Sequence, residues 1–118
     1  MTKEIGLWID HEQAVIVSSL EQDEDVKRIA SKIDKGASGS SEDTHDRHIE
    51  NQLNEFYDEV IEHLGNATAI LILGPGEAKL ELQKRLETQG VGEDIVTVKT
   101  TDNLTDNQVA AEVRQHFK

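Results

Sequence analysis

From Ala69 to Leu73 the chain reads Ala-Ile-Leu-Ile-Leu, an unbroken apolar run that closes on Gly74-Pro75-Gly76. A strand with one wet face alternates apolar and polar residues, whereas a strand covered on both faces has no need to. The segment Ala67 to Leu73 is therefore expected to be a central strand with helices above and below it. It is far shorter than the roughly 20 apolar residues that cross a bilayer. The glycines and proline behind it force a turn. The rest of the chain must then supply neighbouring strands and two layers of cover.

The first third supplies strands. Glu4 to Asp10 places Ile5, Leu7 and Ile9 on one face and Gly6 and Trp8 on the other, the period-two pattern of a strand. Ala14 to Leu20 holds the β-branched triplet Val15-Ile16-Val17 and reads as a second strand. Asp10-His11-Glu12-Gln13 connects the two as a short polar hairpin turn. A further acidic turn, Glu21 to Asp25, leads to Val26 to Ile33, where Lys27, Arg28 and Lys32 interrupt sparse apolar residues. That suits an edge strand guarded by charge. Trp8, on the sheet face opposite Ile5, Leu7 and Ile9, suits either packing under a helix, the favoured reading, or an exposed contact anchor.

Asp34 to Thr44 is a Gly/Ser-rich stretch with no apolar side chain larger than Ala37, and residues 34–44 are expected to form a flexible loop. The period then changes. Ile49, Leu53, Phe56, Tyr57, Val60, Ile61 and Leu64 make the stripe of a long amphipathic helix, stopped by Gly65-Asn66. Ala78, Leu82 and Leu86 mark a second helix, with Gly90 near its end. Asp94 to Thr100 is a short strand. Thr105 with Gln108 matches a capping box ahead of a stripe at Val109, Ala110, Val113 and Phe117. The order is β-β-β-α-β-α-β-α. An antiparallel meander followed by right-handed crossovers gives a five-stranded mixed α/β sheet of order 3-2-1-4-5 with helices on both faces. This is a ribonuclease-H-like topology.

Charge and composition narrow the chemistry. The 118 residues fit one domain, 1–118. Leu, Ile, Val and Phe make up about a quarter of the chain, enough for a modest core. With 24 acids against 12 Lys and Arg the formal charge is −12, which repels phosphate backbones and excludes nucleic-acid binding by bulk charge. There is no cysteine, hence no thiol nucleophile and no cysteine zinc site. The opening MTKEIGLWID carries no apolar stretch of signal-peptide length, so a cytoplasmic location without membrane contact is expected. The sheet edges and small core suit a homodimer.

Three groups of residues invite chemistry. Gly74, Gly76 and Lys79 sit where a strand enters a helix, and free N–H groups there could hold a small anion or nucleotide phosphate. The same residues also suit a tight turn, with glycine tolerating positive φ and Pro75 setting the first turn, and Glu77 opposes an anion. Asp10 ends the first strand and could anchor a carboxylate cluster for two-metal hydrolysis with Glu50 or Glu55 and Asp94 or Asp102. Asp10 equally suits capping of its own turn. His45 and His48, three residues apart beside Asp46 and Glu50, would share a helix face and could bind a divalent metal. Alternatively they belong to a solvated helix start. No cofactor is called for by any of these patterns.

The segments AILILGPGEAK, NEFYDEVIEHL and IVTVKTTDNLTDNQVAAEVRQHF resemble the middle domain of archaeal and eukaryotic class-one peptide-chain release factors and of Pelota, and the bacterial proteins related to that domain. GLWIDHEQAVIV would be its first hairpin. Leu73-Gly74-Pro75-Gly76 followed by Lys79, and Thr101-Asp102 through Gln108, are the most specific pieces. The resemblance implies a ribonuclease-H-like fold, in agreement with the pattern above. For the release factors, though not for Pelota, it also implies a Gly-Gly-Gln loop between the third strand and the long helix, whose glutamine supports peptidyl-tRNA hydrolysis. In this chain that tripeptide would fall at Ser38-Gly39-Ser40, which holds neither the glycine pair nor the glutamine. The resemblance then implies a non-catalytic, translation-associated module. Its expected partner is a protein, ribosomal in kind, met through the acidic surface or the Ser38–Thr44 loop.

Overall fold

The computed structural model describes residues 4–19, 24–31, 42–65 and 67–117, with side chains for all of these but 19, 24–25, 42–50 and 93. The elements run β1 (Glu4–Ile9), β2 (Gln13–Ser19), β3 (Glu24–Ala30), α1 (Glu42–Leu64), β4 (Ala69–Gly74), α2 (Ala78–Thr88), a 3-10 turn (Glu93–Ile95), β5 (Val96–Thr100) and α3 (Asp106–His116). The five strands form one sheet in the order β3-β2-β1-β4-β5. β1 pairs antiparallel with β2 and β2 with β3, while β1–β4 and β4–β5 are parallel. The element order and strand order are those expected from the pattern of the sequence. Among the described residues no helix is long and apolar enough to cross a membrane.

Strand alternation sorts the core into two layers. Ile5, Leu7 and Ile9 of β1 and Ile70 and Ile72 of β4 point to one face, where Phe56, Tyr57, Val60 and Leu64 of α1 and Ala78, Leu82 and Leu86 of α2 cover them. Trp8, Val15, Val17, Leu71 and Leu73 point to the other, under Val109, Ala110 and Val113 of α3. The run in β4 is thus buried on both sides, which is why it lacks polar alternation. At roughly 1.5–3 kcal/mol for each fully buried Leu or Ile, these two layers are the main favourable contribution to folding.

Local signals fix the joints. Gly65 takes φ 54° where α1 ends and Gly90 takes φ 90° just beyond α2, conformations that L side chains resist. Thr105 caps α3 by accepting from the Gln108 N–H, while the Gln108 side chain accepts from the Thr105 N–H. Gly6 lies under α3, and a Cβ on it would overlap the Val113 side chain. That position therefore sets how closely the helix approaches the sheet.

Boundaries differ from expectation in several elements, and β4 runs Ala69–Gly74 rather than Ala67 to Leu73. β3 covers Glu24–Ala30 rather than Val26–Ile33. Its ladder with β2 reaches Ser18 opposite Asp25 and Ser19 opposite Glu24, so backbone pairing carries two acids assigned to a turn into the strand. α1 starts at Glu42, so the last three positions of the loop expected at 34–44 are helical. Asp94 and Ile95 belong to the 3-10 turn and not to β5. Residues 34–41, including Ser38, Gly39 and Ser40, lie outside the described residues.

Candidate functional site

β1 and β4 are parallel neighbours, so their carboxyl ends, Ile9 and Gly74, open on the same rim of the sheet. That rim is where open α/β sheets bind ligands. A Cβ on Gly74 would overlap the carbonyl oxygen of Ile9, and the N–H of Thr101 donates to the Gly74 carbonyl at 2.9 Å. Glycine is needed here for close backbone approach. Neither Gly74 nor Gly76 adopts positive φ, which corrects that part of the turn reading, and a Cβ on Gly76 would meet nothing.

The structure brings Gly74, Gly76 and Lys79 together in one strand-to-helix turn. Lys79 lies in the first turn of α2 and is buried. Its Nζ donates to the Gly76 carbonyl oxygen, so the ammonium braces its own turn. Glu77 stands at the N-cap without a side-chain cap bond and is exposed, which adds a negative charge beside this turn.

Asp10 follows β1, and its Oδ1 accepts the N–H groups of Glu12 at 2.7 Å and Gln13 at 2.8 Å. This is an Asx turn, in which the side chain stands in for a backbone carbonyl. His45 and His48 lie on the α1 backbone, their side chains outside those described. Among the described residues no three His, Asp or Glu groups come together as a metal site.

What sequence reasoning missed lies between α1 and α2. A groove of about 650 Å³ there is lined by Leu53, Asn54, Tyr57, Glu81, Lys84, Arg85, Thr88 and Gln89. Tyr57 donates its hydroxyl to Glu81 Oε1 at 2.8 Å, and the other oxygen, Oε2, pairs with His11 Nε2 at 3.1 Å. One carboxylate thus joins α1, α2 and the β1–β2 turn. Burial, and then the Glu81 carboxylate that it faces, push the Tyr57 phenol far above the ordinary phenol range. Beside it Arg85 donates from Nε and Nη2 to both oxygens of Asp58 at 2.7 and 2.8 Å. That fork holds the Asp58 carboxyl below its usual range and raises the guanidinium. The one sequence signal for this cluster was the phenol itself: a tyrosine on a core stripe needs a polar partner.

Further along α1, Glu55, Asp58, Glu59 and Glu62 are exposed, and with Ile61, Arg85 and Gln89 they line a second, shallower recess. Arg85 offsets one of the four carboxylates. The remaining three give this side of the helix a net negative field suited to cationic side chains.

No family model and no curated protein matches this chain. Solved structures do. Pelota from Thermoplasma acidophilum is similar at 20% identity and a TM-score of 0.65, over 97% of this chain and 32% of that one. Pelota from Archaeoglobus fulgidus is similar at 15% identity and a TM-score of 0.65, over 97% of this chain and 31% of that one. An archaeal translation termination factor is similar at 15% identity and a TM-score of 0.63, over 98% of this chain and 39% of that one. The chain therefore has the fold of a part of Pelota and of the termination factor, as the resemblance in sequence implied. It spans about a third of the length of these proteins.

Proposed function

We propose that this chain is a non-catalytic interaction module of the translation apparatus. In this reading it acts as one cytoplasmic domain and docks on a basic protein partner, ribosomal in kind, without a cofactor. The observation that carries the reading is the likeness to Pelota and to a termination factor over nearly the whole chain. The absence of Gly-Gly-Gln at Ser38-Gly39-Ser40 supports a role other than peptidyl-tRNA hydrolysis. The exposed carboxylates of α1 and the formal charge of −12 favour a protein contact over an RNA contact. A metal-dependent hydrolase built on Asp10 is less well supported, because Asp10 Oδ1 is engaged by two backbone N–H groups of its own turn. A phosphate cradle at Gly74–Lys79 is less well supported because the ammonium is bonded within the turn.

Sedimentation of cell extract tests the reading. The chain is expected in the ribosomal fractions at low salt. Recovery only among free proteins at every salt concentration would refute it.

A further inference from the structure

The outer edge of β3 is the charged rim of the sheet. β3 is the terminal strand of the sheet, and among the described residues no strand pairs with its outer side. Which of its backbone groups face outward follows from the ladders. The N–H of Ser31 donates to the Glu12 carbonyl, and that of Asp10 to the Gln13 carbonyl. Antiparallel bonded pairs recur every second residue. The β2–β3 register then bonds Ile29 to Ala14, Lys27 to Ile16 and Asp25 to Ser18. The β1–β2 register commits the alternate β2 residues Val15 and Val17 to β1, an independent agreement. The N–H and C=O groups of Glu24, Val26, Arg28 and Ala30 are left pointing away from the sheet.

We propose that two copies of this chain join their sheets through an antiparallel, two-fold pairing of β3 centred on Val26. A two-fold centred between residues would oppose an outward backbone to one already bonded to β2, so the centre must fall on a residue. Centring on Glu24, Asp25, Lys27 or Arg28 sets a charge against itself, and like charges directly opposite are destabilising. Centring on Val26 sets Asp25 opposite Lys27 and Glu24 opposite Arg28, and each reciprocally, so every charged register position faces its opposite. Val26 then faces Val26 of the second copy, and Val26 is 43% exposed in the single chain. Among registers centred from Glu24 to Arg28, the charges that guard this edge against other pairings thus admit one. Arg28 already pairs with Asp106 and Gln13 of its own chain, so Asp25 and Lys27 are the sharper lever. A single edge strand buries less than the roughly 1,200 Å² of a stable interface, and each copy carries −12. The dimer is therefore weak and is read at physiological salt, where repulsion between distant charges is screened.

Sedimentation equilibrium of the full chain, from about 1 μM to about 1 mM, is expected to show a reversible monomer–dimer equilibrium. Val26→Pro removes an outward N–H and no bond to β2, a change that edge strands tolerate, and is expected to abolish the dimer while circular dichroism stays native. Lys27→Asp sets two like-charged pairs across the axis and should weaken association about tenfold or more. The swap Asp25→Lys/Lys27→Asp should restore it, and this pair of variants decides the matter even if Val26→Pro fails to fold. A wild-type chain that stays monomeric throughout, a dimer indifferent to these changes, or a swap that does not restore association would overturn the proposal. None of these outcomes depends on whether the chain meets the ribosome.

Discussion

The Cα of Gly74 faces the carbonyl oxygen of Ile9 so closely that a single added methyl group would overlap that oxygen. Both residues end central strands whose neighbours hold them in place, so the backbone has little room to yield. Gly74→Ala is expected to cost about 2–3 kcal/mol, the upper part of the range for overpacking. Gly76→Ala, two residues on, meets open space and is expected to be neutral or to stabilise by up to about 1 kcal/mol through the unfolded chain. Urea denaturation of the two variants checks this. Equal effects would mean that close approach is not the reason for glycine at 74.

Trp8 ties the sheet to the segment after β5. Its indole N–H donates to the Asp102 backbone carbonyl at 3.1 Å. Trp8→Phe loses the donor and part of the ring volume, and should cost about 2 kcal/mol. Asp102→Ala keeps the carbonyl and should leave stability within about 0.5 kcal/mol of wild type. The same denaturation curves read both, and a large loss in Asp102→Ala would show that its carboxylate matters to the fold.

These joints show what a sequence pattern carries and what it does not. The two-sided burial of Ile70 to Leu73 and the stripe from Leu53 to Leu64 were legible because each depends on spacing within one element. The capping box at Thr105 was legible for the same reason. The ends of β3 were not, since its length is decided by β2, through pairs such as Ser19 opposite Glu24. The Tyr57–Glu81–His11 cluster was hidden too. Its members lie 24 and 70 residues apart, and no local pattern records which helix faces meet. In sequence Lys79 fits either an anion site or a plain strand-to-helix turn, and only the folded turn shows it bonded to Gly76.

Tyr57 is the single tyrosine of the chain, so its ionisation can be followed without interference. Its phenol titrates above the ordinary value near 10 because burial and the Glu81 carboxylate disfavour phenolate. A folded-state value above the unfolded one means that the stabilisation is complete below pH about 10 and declines as pH rises beyond it. Phenolate absorbance should therefore appear only with alkaline unfolding, in step with the loss of circular dichroism. Tyr57→Phe should cost about 0.5–1.5 kcal/mol at neutral pH and lose less stability on alkaline titration than wild type. A phenolate signal near pH 10 in folded protein would contradict this.

Asp10 distinguishes a turn cap from a metal ligand. Asp10→Ala removes the acceptor of two N–H groups and should cost about 1 kcal/mol, as loss of a comparable side-chain cap does. Asp10→Asn keeps an acceptor oxygen and should retain most of the stability. Calorimetry with and without Mg²⁺ or Mn²⁺ checks the assignment. A rise in melting temperature with metal that Asp10→Asn abolishes would return Asp10 to the role of ligand.

The central claim, that this fold meets the ribosome through a protein contact made by its acidic side, is tested most directly by pelleting the purified chain with purified ribosomes across a salt series. The expected result is binding at low salt that falls as salt rises, and that weakens at least severalfold when Glu55, Glu59 and Glu62 are changed together to Gln. A chain that stays in the supernatant at every salt concentration would contradict the claim, and so would ribosome binding that the three substitutions leave unchanged.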